Sequence, residues 1–129
     1  MQADLMDISN FSRDNSGVKY LLNVIDIYSR YTWSYPLKSK KPSEIALYIE
    51  SIINSIPKSN YKVLCIDLGN EFKWQVNTIL EKHNVKRFYN NPKDEKNKMA
   101  LIEWFNYTVW KKLKKYINAY DTLRYVNVL

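Results

Sequence analysis

The stretch Val18–Ile27 (VKYLLNVIDI), joined through Tyr28-Ser29-Arg30 to Tyr31–Leu37 (YTWSYPL), decides the fold. The first run is rich in Val, Ile, Leu and Tyr, the residues that fill a pleated and buried surface, and it reads as a long central strand. The second is an aromatic strand. Pro36 near its end predicts an edge position, because proline cannot donate to a ladder. Upstream, Gln2–Ile8 alternates polar and apolar residues as a strand does. Between it and the central strand lies Arg13-Asp14-Asn15-Ser16-Gly17, a turn cluster holding one of only two glycines, which predicts a hairpin.

Downstream the pattern changes to alternation with helices. After the basic linker Lys38–Lys41, Pro42-Ser43-Glu44 opens a helix. Its residues Ile45, Leu47, Tyr48, Ile49, Ile52, Ile53 and Ile56 recur at helical spacing, and Pro57 ends it. Lys62–Ile66 is a short buried-type strand closed by Asp67-Leu68-Gly69-Asn70. A second helix is expected over Glu71–His83 and a fifth strand over Val85–Tyr89. A polar, proline-containing loop over Asn90–Asn97 leads to a long helix from about Lys98 to Ile117, whose buried stripe is Ile102, Phe105, Val109, Leu113 and Tyr116/Ile117. The order β-β-β-α-β-α-β-α predicts an α/β domain: a mixed five-stranded sheet, three strands in a meander and then two parallel ones, flanked by helices. Residues 1–118 form this unit, and 119–129 are a C-terminal extension, the start of a further helix or a linker.

Composition limits what such a domain does. The 129 residues are 46% hydrophobic and 15% aromatic, which excludes disorder, and they suffice to bury about two-thirds of the unfolded chain's surface. No apolar run approaches the ~18 to 20 residues of a membrane span, and the N-terminus lacks a signal-peptide pattern, so an intracellular, non-membrane protein is expected. The lone Cys65 excludes an intramolecular disulfide and a cysteine metal cage. A net charge of +7 points to a polyanionic partner. The excess is mostly lysine, 16 Lys to 4 Arg beside 14 Asn. That balance favours loose phosphate attraction over base-edge reading by bidentate arginine. The same bias also follows from AT-rich codons alone.

Three acids stand out by placement. Asp4 lies mid-strand in the first element. Asp67 follows Val63-Leu64-Cys65-Ile66 at the carboxyl end of a strand, where open sheets present ligand groups. Glu103 lies in the first turns of the last helix, one step around from Ile102, and thirty-five residues separate it from Asp67. Taken singly each reads as an ordinary surface or capping acid.

Together with their surroundings they carry a resemblance. Gln2-Ala3-Asp4-Leu5, Tyr20–Arg30, Tyr35–Lys40, Asp67-Leu68-Gly69-Asn70-Glu71-Phe72 and Ile102-Glu103-Trp104-Phe105-Asn106 resemble a retroviral-type (DDE) integrase catalytic core. The closest likeness is to integrases of Polinton (Maverick) transposons and related elements of large DNA viruses and virophages, over roughly residues 2–116. The resemblance implies an RNase H-like fold and Asp4, Asp67 and Glu103 as catalytic ligands of two Mg²⁺ or Mn²⁺ ions. It implies trimming of DNA 3′ ends and their joining to target DNA, without a covalent protein intermediate. The partners are then double-stranded DNA, as element ends and target, and a second copy in a homodimer or higher oligomer. The location is then the host nucleus, a viral factory or the virion. The chemistry is physically coherent, since hard divalent ions take oxygen ligands and relieve the repulsion of clustered carboxylates.

The sequence departs from the family at three places. Leu68 stands where Asn is usual after the second Asp, and Trp104 and Tyr107 stand where arginines are common. These bear on DNA grip and rate. The alternatives are therefore a degenerate, non-catalytic DNA-binding or assembly module, and an RNase H-like nuclease that cuts without joining.

Other residues are assigned as follows. Lys93, Lys96, Lys98, Asn106, Lys111 and Lys114 are candidate DNA contacts. Lys114 lies in line with Glu103 about 16 Å along the helix, and lysines there equally suit the helix dipole. Asp7 faces away from Asp4, Asp26 supports a turn or pairs with a base, and Glu71 belongs to a helix's first turn. Tyr89 serves packing or base stacking. His83 is a helix-terminus residue and Cys65 a small core residue. The four tryptophans pack internally or against a partner.

Overall fold

The structure, a computed structural model, describes residues 1–57, 63–67, 69–90 and 99–125. Five strands form one sheet: β1 (Gln2–Asp7), β2 (Tyr20–Ile25), β3 (Thr32–Leu37), β4 (Val63–Ile66) and β5 (Lys86–Tyr89). Three helices accompany them: α1 (Pro42–Ser55), α2 (Gln75–Lys82) and α3 (Ala100–Tyr120). The sheet order is β3-β2-β1-β4-β5. β1/β2 and β2/β3 are antiparallel, and β1/β4 and β4/β5 are parallel. This is the mixed α/β sheet that the order of elements predicts, and it is consistent with an RNase H-like fold. Pro36 lies in β3, an edge strand, as its missing N–H requires.

The alternation of side chains divides the sheet into two faces. Ala3, Leu22, Val24, Leu37, Leu64 and Ile66 pack with Ile45, Ile49, Ile52 and Ile53 of α1 and Val76 and Leu80 of α2, forming the main core. The opposite face carries α3 over two smaller apolar patches. One joins Ile25, Met99 and Ile102, with Cys65, Leu101 and Phe105 against it. The other joins Ile8, Val18, Leu21, Leu113 and Tyr125, with Met6, Val109, Tyr116 and Ile117 against it.

Among the element boundaries that differ from the sequence expectation, three have a clear local setting. β2 ends at Ile25 because the Asp26 carboxylate accepts from the Ser29 N–H (3.0 Å) and hydroxyl, turning the chain there. Arg30 adopts a positive φ of 64° in the same turn. α2 starts at Gln75 rather than Glu71. Asn70–Phe72 is a separate 3-10 turn that sinks Phe72 into the core, and Trp74, at φ 50°, interrupts the helix. α3 runs past residue 118 to Tyr120, where Asp121 in the left-handed region caps it.

Beyond α3 the chain folds back. The buried Asn15 donates to the Phe11 and Leu123 carbonyls (2.8 and 2.7 Å) and accepts from the Tyr125 N–H (2.8 Å). Tyr125 packs edge-on against Phe11, and burial pushes its phenol up to about 12. The residues between β1 and β2 turn at Gly17, whose φ of 81° favours glycine. Among the described residues, no helix is long and apolar enough to cross a membrane.

Candidate active site

Asp4, Asp67 and Glu103 come from three elements that the fold brings to one region of the α3 face. The parallel pairing of Gln2 with Cys65 places Asp67, one residue past β4, level with Asp4 on the neighbouring strand. Period-two alternation gives Asp67 the same face as Cys65, and Cys65 packs toward α3. Glu103 sits in the first turn of α3, next to the buried Ile102.

The start of α3 is fixed from the sheet. Its N-cap residue Met99 provides no side-chain cap, which leaves first-turn amides to find other acceptors. The buried Gln2 side chain supplies one: its Oε1 accepts from the Ile102 N–H at 3.0 Å. A β1 side chain two residues before Asp4 thus holds the turn that carries Glu103.

Asp4 is half-buried, and both its oxygens are engaged. Oδ1 accepts from the Leu5 N–H (2.8 Å) and Oδ2 from the Asn106 side-chain amide (2.7 Å). Its pKa lies above the ordinary Asp value. Burial is the main cause, the like charges of Asp67 and Glu103 add to it, and the two hydrogen bonds work in the opposite direction. The β1/β4 register and the first turn of α3 bring the three acids to one neighbourhood, and the raised pKa of Asp4 is in keeping with it.

As donors, three carboxylates suit a hard divalent cation. Each oxygen of Asp4 accepts one hydrogen bond from the groups just named and retains acceptor capacity. Among the described residues, no three His, Cys, Asp or Glu side chains stand close enough together to hold a metal ion, so the acids are neighbours and not a closed ligand set. Three carboxylates are the donor type a hard divalent ion takes, but Asp4, Asp67 and Glu103 as they stand do not close around one.

The other expected site residues are distributed differently. Asn106 has its amide committed to Asp4 and, through Oδ1, to the Asn23 amide at 2.7 Å. Lys111 and Lys114 are exposed on α3, Lys111 over the Tyr107 ring (4.9 Å) and Lys114 over the Trp110 ring (5.2 Å). Trp104 and Tyr107, at 62% and 57% exposure, share this outer surface of the helix. Lys93, Lys96 and Lys98 lie outside the described residues, as does Leu68. Asp7 is exposed and caps the Ser9 N–H at 2.8 Å. His83 closes α2 and meets Glu50 at 3.3 Å.

Two residues of this region escape the sequence reading: Asn23 and Ser34. Asn23 pairs directly with Asp4 across β1/β2 and with Ser34 across β2/β3. It is fully buried, and its Oδ1 accepts from the Ser34 hydroxyl. The available signal was an asparagine inside an otherwise apolar central strand, since a buried amide requires partners.

With this geometry in hand, comparison with known proteins gives one clear likeness. The chain is 35% identical over 122 residues to a Caenorhabditis elegans protein described as uncharacterized and transposon-derived. The match covers 95% of this chain and 42% of that protein, so the chain spans about two-fifths of its relative's length. No family model matches. The class thus defined is an α/β domain, consistent with an RNase H-like fold, and similar to a protein of transposon origin.

Proposed function

We propose that this domain is the catalytic core of a DDE-type DNA integrase, a polynucleotidyl transferase that processes DNA 3′ ends and joins them to target DNA. The observation that carries the reading is the register that levels Asp67 with Asp4 on the sheet face that α3 covers, with Glu103 in the first turn of that helix. Mg²⁺ or Mn²⁺, when bound, would supply Lewis-acid stabilisation of the attacking and leaving oxygens. The chain's own part is to hold three oxygen donors. β1 fixes Asp4 through the Leu5 N–H and Asn106, β4 delivers Asp67 to the same level, and the Gln2 hydrogen bond sets the turn bearing Glu103. The exposed lysines of α3 offer sequence-independent attraction to the phosphate backbone of double-stranded DNA. The transposon-derived relative supports a role in moving DNA. The working form would be a homodimer or larger assembly, in the nucleus, viral factory or virion where such DNA lies.

The test is a strand-transfer assay with Mn²⁺, a labelled donor end and a target duplex. Joined products support the integrase reading. Cleavage without joining assigns a nuclease, and neither product assigns a non-catalytic DNA-binding module. Asp67→Asn is expected to abolish turnover while DNA affinity and fold persist. Survival of turnover in that variant overturns the active-site assignment.

A further inference from the structure

We infer that Ser34 and Asn23 are positioning residues for the acidic centre, acting on Asp4 through Asn106 along a single directional line of hydrogen bonds. This inference rests on the integrase reading and deepens it. The Ser34 hydroxyl donates to Asn23 Oδ1, Asn23 Nδ2 donates to Asn106 Oδ1 (2.7 Å), and Asn106 Nδ2 donates to Asp4 Oδ2 (2.7 Å). Every donor points toward the carboxylate.

The direction is forced. An ionised carboxylate only accepts, so Asn106 must present its N–H₂ to Asp4 and therefore its carbonyl to Asn23. Asn23 must then present its N–H₂ to Asn106 and its carbonyl to Ser34, which leaves the hydroxyl as the donor that starts the line. Each amide orientation is thus dictated by its neighbour, and the carboxylate end and the hydroxyl end agree. Bonds aligned in this sense polarise one another and strengthen the last one, which holds Asp4 Oδ2.

Register and burial make the line rigid. Ser34, Asn23 and Asp4 stand directly opposite one another on three adjacent strands, and α3 inserts Asn106 from above. Asn23 is completely buried, so no solvent replaces a missing partner there. The line also runs between two apolar patches, Ile25/Met99/Ile102 on one side and Ile8/Val18/Leu21/Leu113 on the other. With Oδ2 held by Asn106 and Oδ1 by the Leu5 N–H, the plane of the carboxylate is fixed, and its remaining acceptor capacity has a set direction. Partners that orient a metal ligand in this way typically change metal affinity by about 10- to 100-fold when removed.

The experiment is Mn²⁺ binding to the intact protein, read by electron paramagnetic resonance of the free ion, with circular dichroism and thermal unfolding as fold controls. Weakening is expected to fall off along the line: about 10- to 100-fold for Asn106→Leu, about 10-fold for Asn23→Leu and about threefold for Ser34→Ala, with Ser34→Thr restoring the wild-type value. The hydroxyl variants test the idea even if Asn23→Leu does not fold, because Ser34 is only half-buried. Folded Asn23→Leu and Ser34→Ala proteins that bind Mn²⁺ as tightly as wild type overturn the inference and leave the integrase reading standing. A wild-type protein that binds no Mn²⁺ overturns both.

Discussion

Asp4 is half-buried and has two like charges in its neighbourhood, so its ionised form is costly even though both carboxylate oxygens accept hydrogen bonds that favour it. The sign follows from linkage. Its folded pKa is raised, so the native state takes up a proton more readily than the unfolded chain. The penalty is full above the raised value and disappears as pH falls through it. Asp4→Asn removes the charge and keeps the hydrogen bonds, because Asn106, Asn23 and Ser34 can each exchange donor and acceptor and reverse the line together. In the presence of a chelator the variant is therefore expected to melt higher than wild type at neutral pH and alike in acid. Thermal unfolding against pH checks this, and a variant that melts lower at neutral pH contradicts it. The sequence singles out the three acids because their spacing and the residues beside them form a joint pattern. Asn23 and Ser34 it does not: a one-dimensional pattern shows a polar residue in a strand and says nothing of which side chain faces it across a ladder.

At the level of elements, α3 shows where pattern reading succeeds and where it stops. The stripe Ile102, Val109 and Leu113 was readable from its spacing, and these residues do pack toward the sheet. Asn106 interrupts the stripe on the same side, and its place there is set by a partner a hundred and two residues away in sequence. The cap of this helix is equally non-local, since Met99 contributes no side-chain bond and Gln2 does. Gln2→Ala leaves the buried Ile102 N–H without this acceptor and is expected to cost about 1–2 kcal/mol, measured by urea unfolding. A loss below a few tenths would mean that the amide finds another partner. α2 was misjudged at its start for a comparable reason. Phe72 has the right spacing to belong to that helix, yet it reaches the core from a separate turn before the break at Trp74.

Across the whole molecule, the mixed sheet of a three-strand meander and two parallel strands was accessible because three consecutive β segments followed by two helix alternations leave few ways to build one sheet. The pairing that levels Asp67 with Asp4 was not, since register between parallel strands distant in sequence is set by packing on both faces. The resulting architecture divides α3 unequally. Its distal half rests on the larger patch with Leu21, Leu113 and Tyr125, and Asn15 ties the returning chain to that region. Its first turn rests on Ile25, Met99 and Ile102 and on the Gln2 side-chain hydrogen bond, with the Asn106 bonds to Asp4 and Asn23 one turn on. Local opening follows the density of buried contacts. Amide exchange by mass spectrometry is accordingly expected to be faster over Leu101–Phe105 than over Leu113–Ile117, and uniform protection along the helix would refute this. Glu103 is thus carried on the end of α3 that has the smaller apolar patch beneath it. Faster exchange over that turn would make the placing of Glu103, rather than that of the two strand acids, the step that limits how long all three face one another.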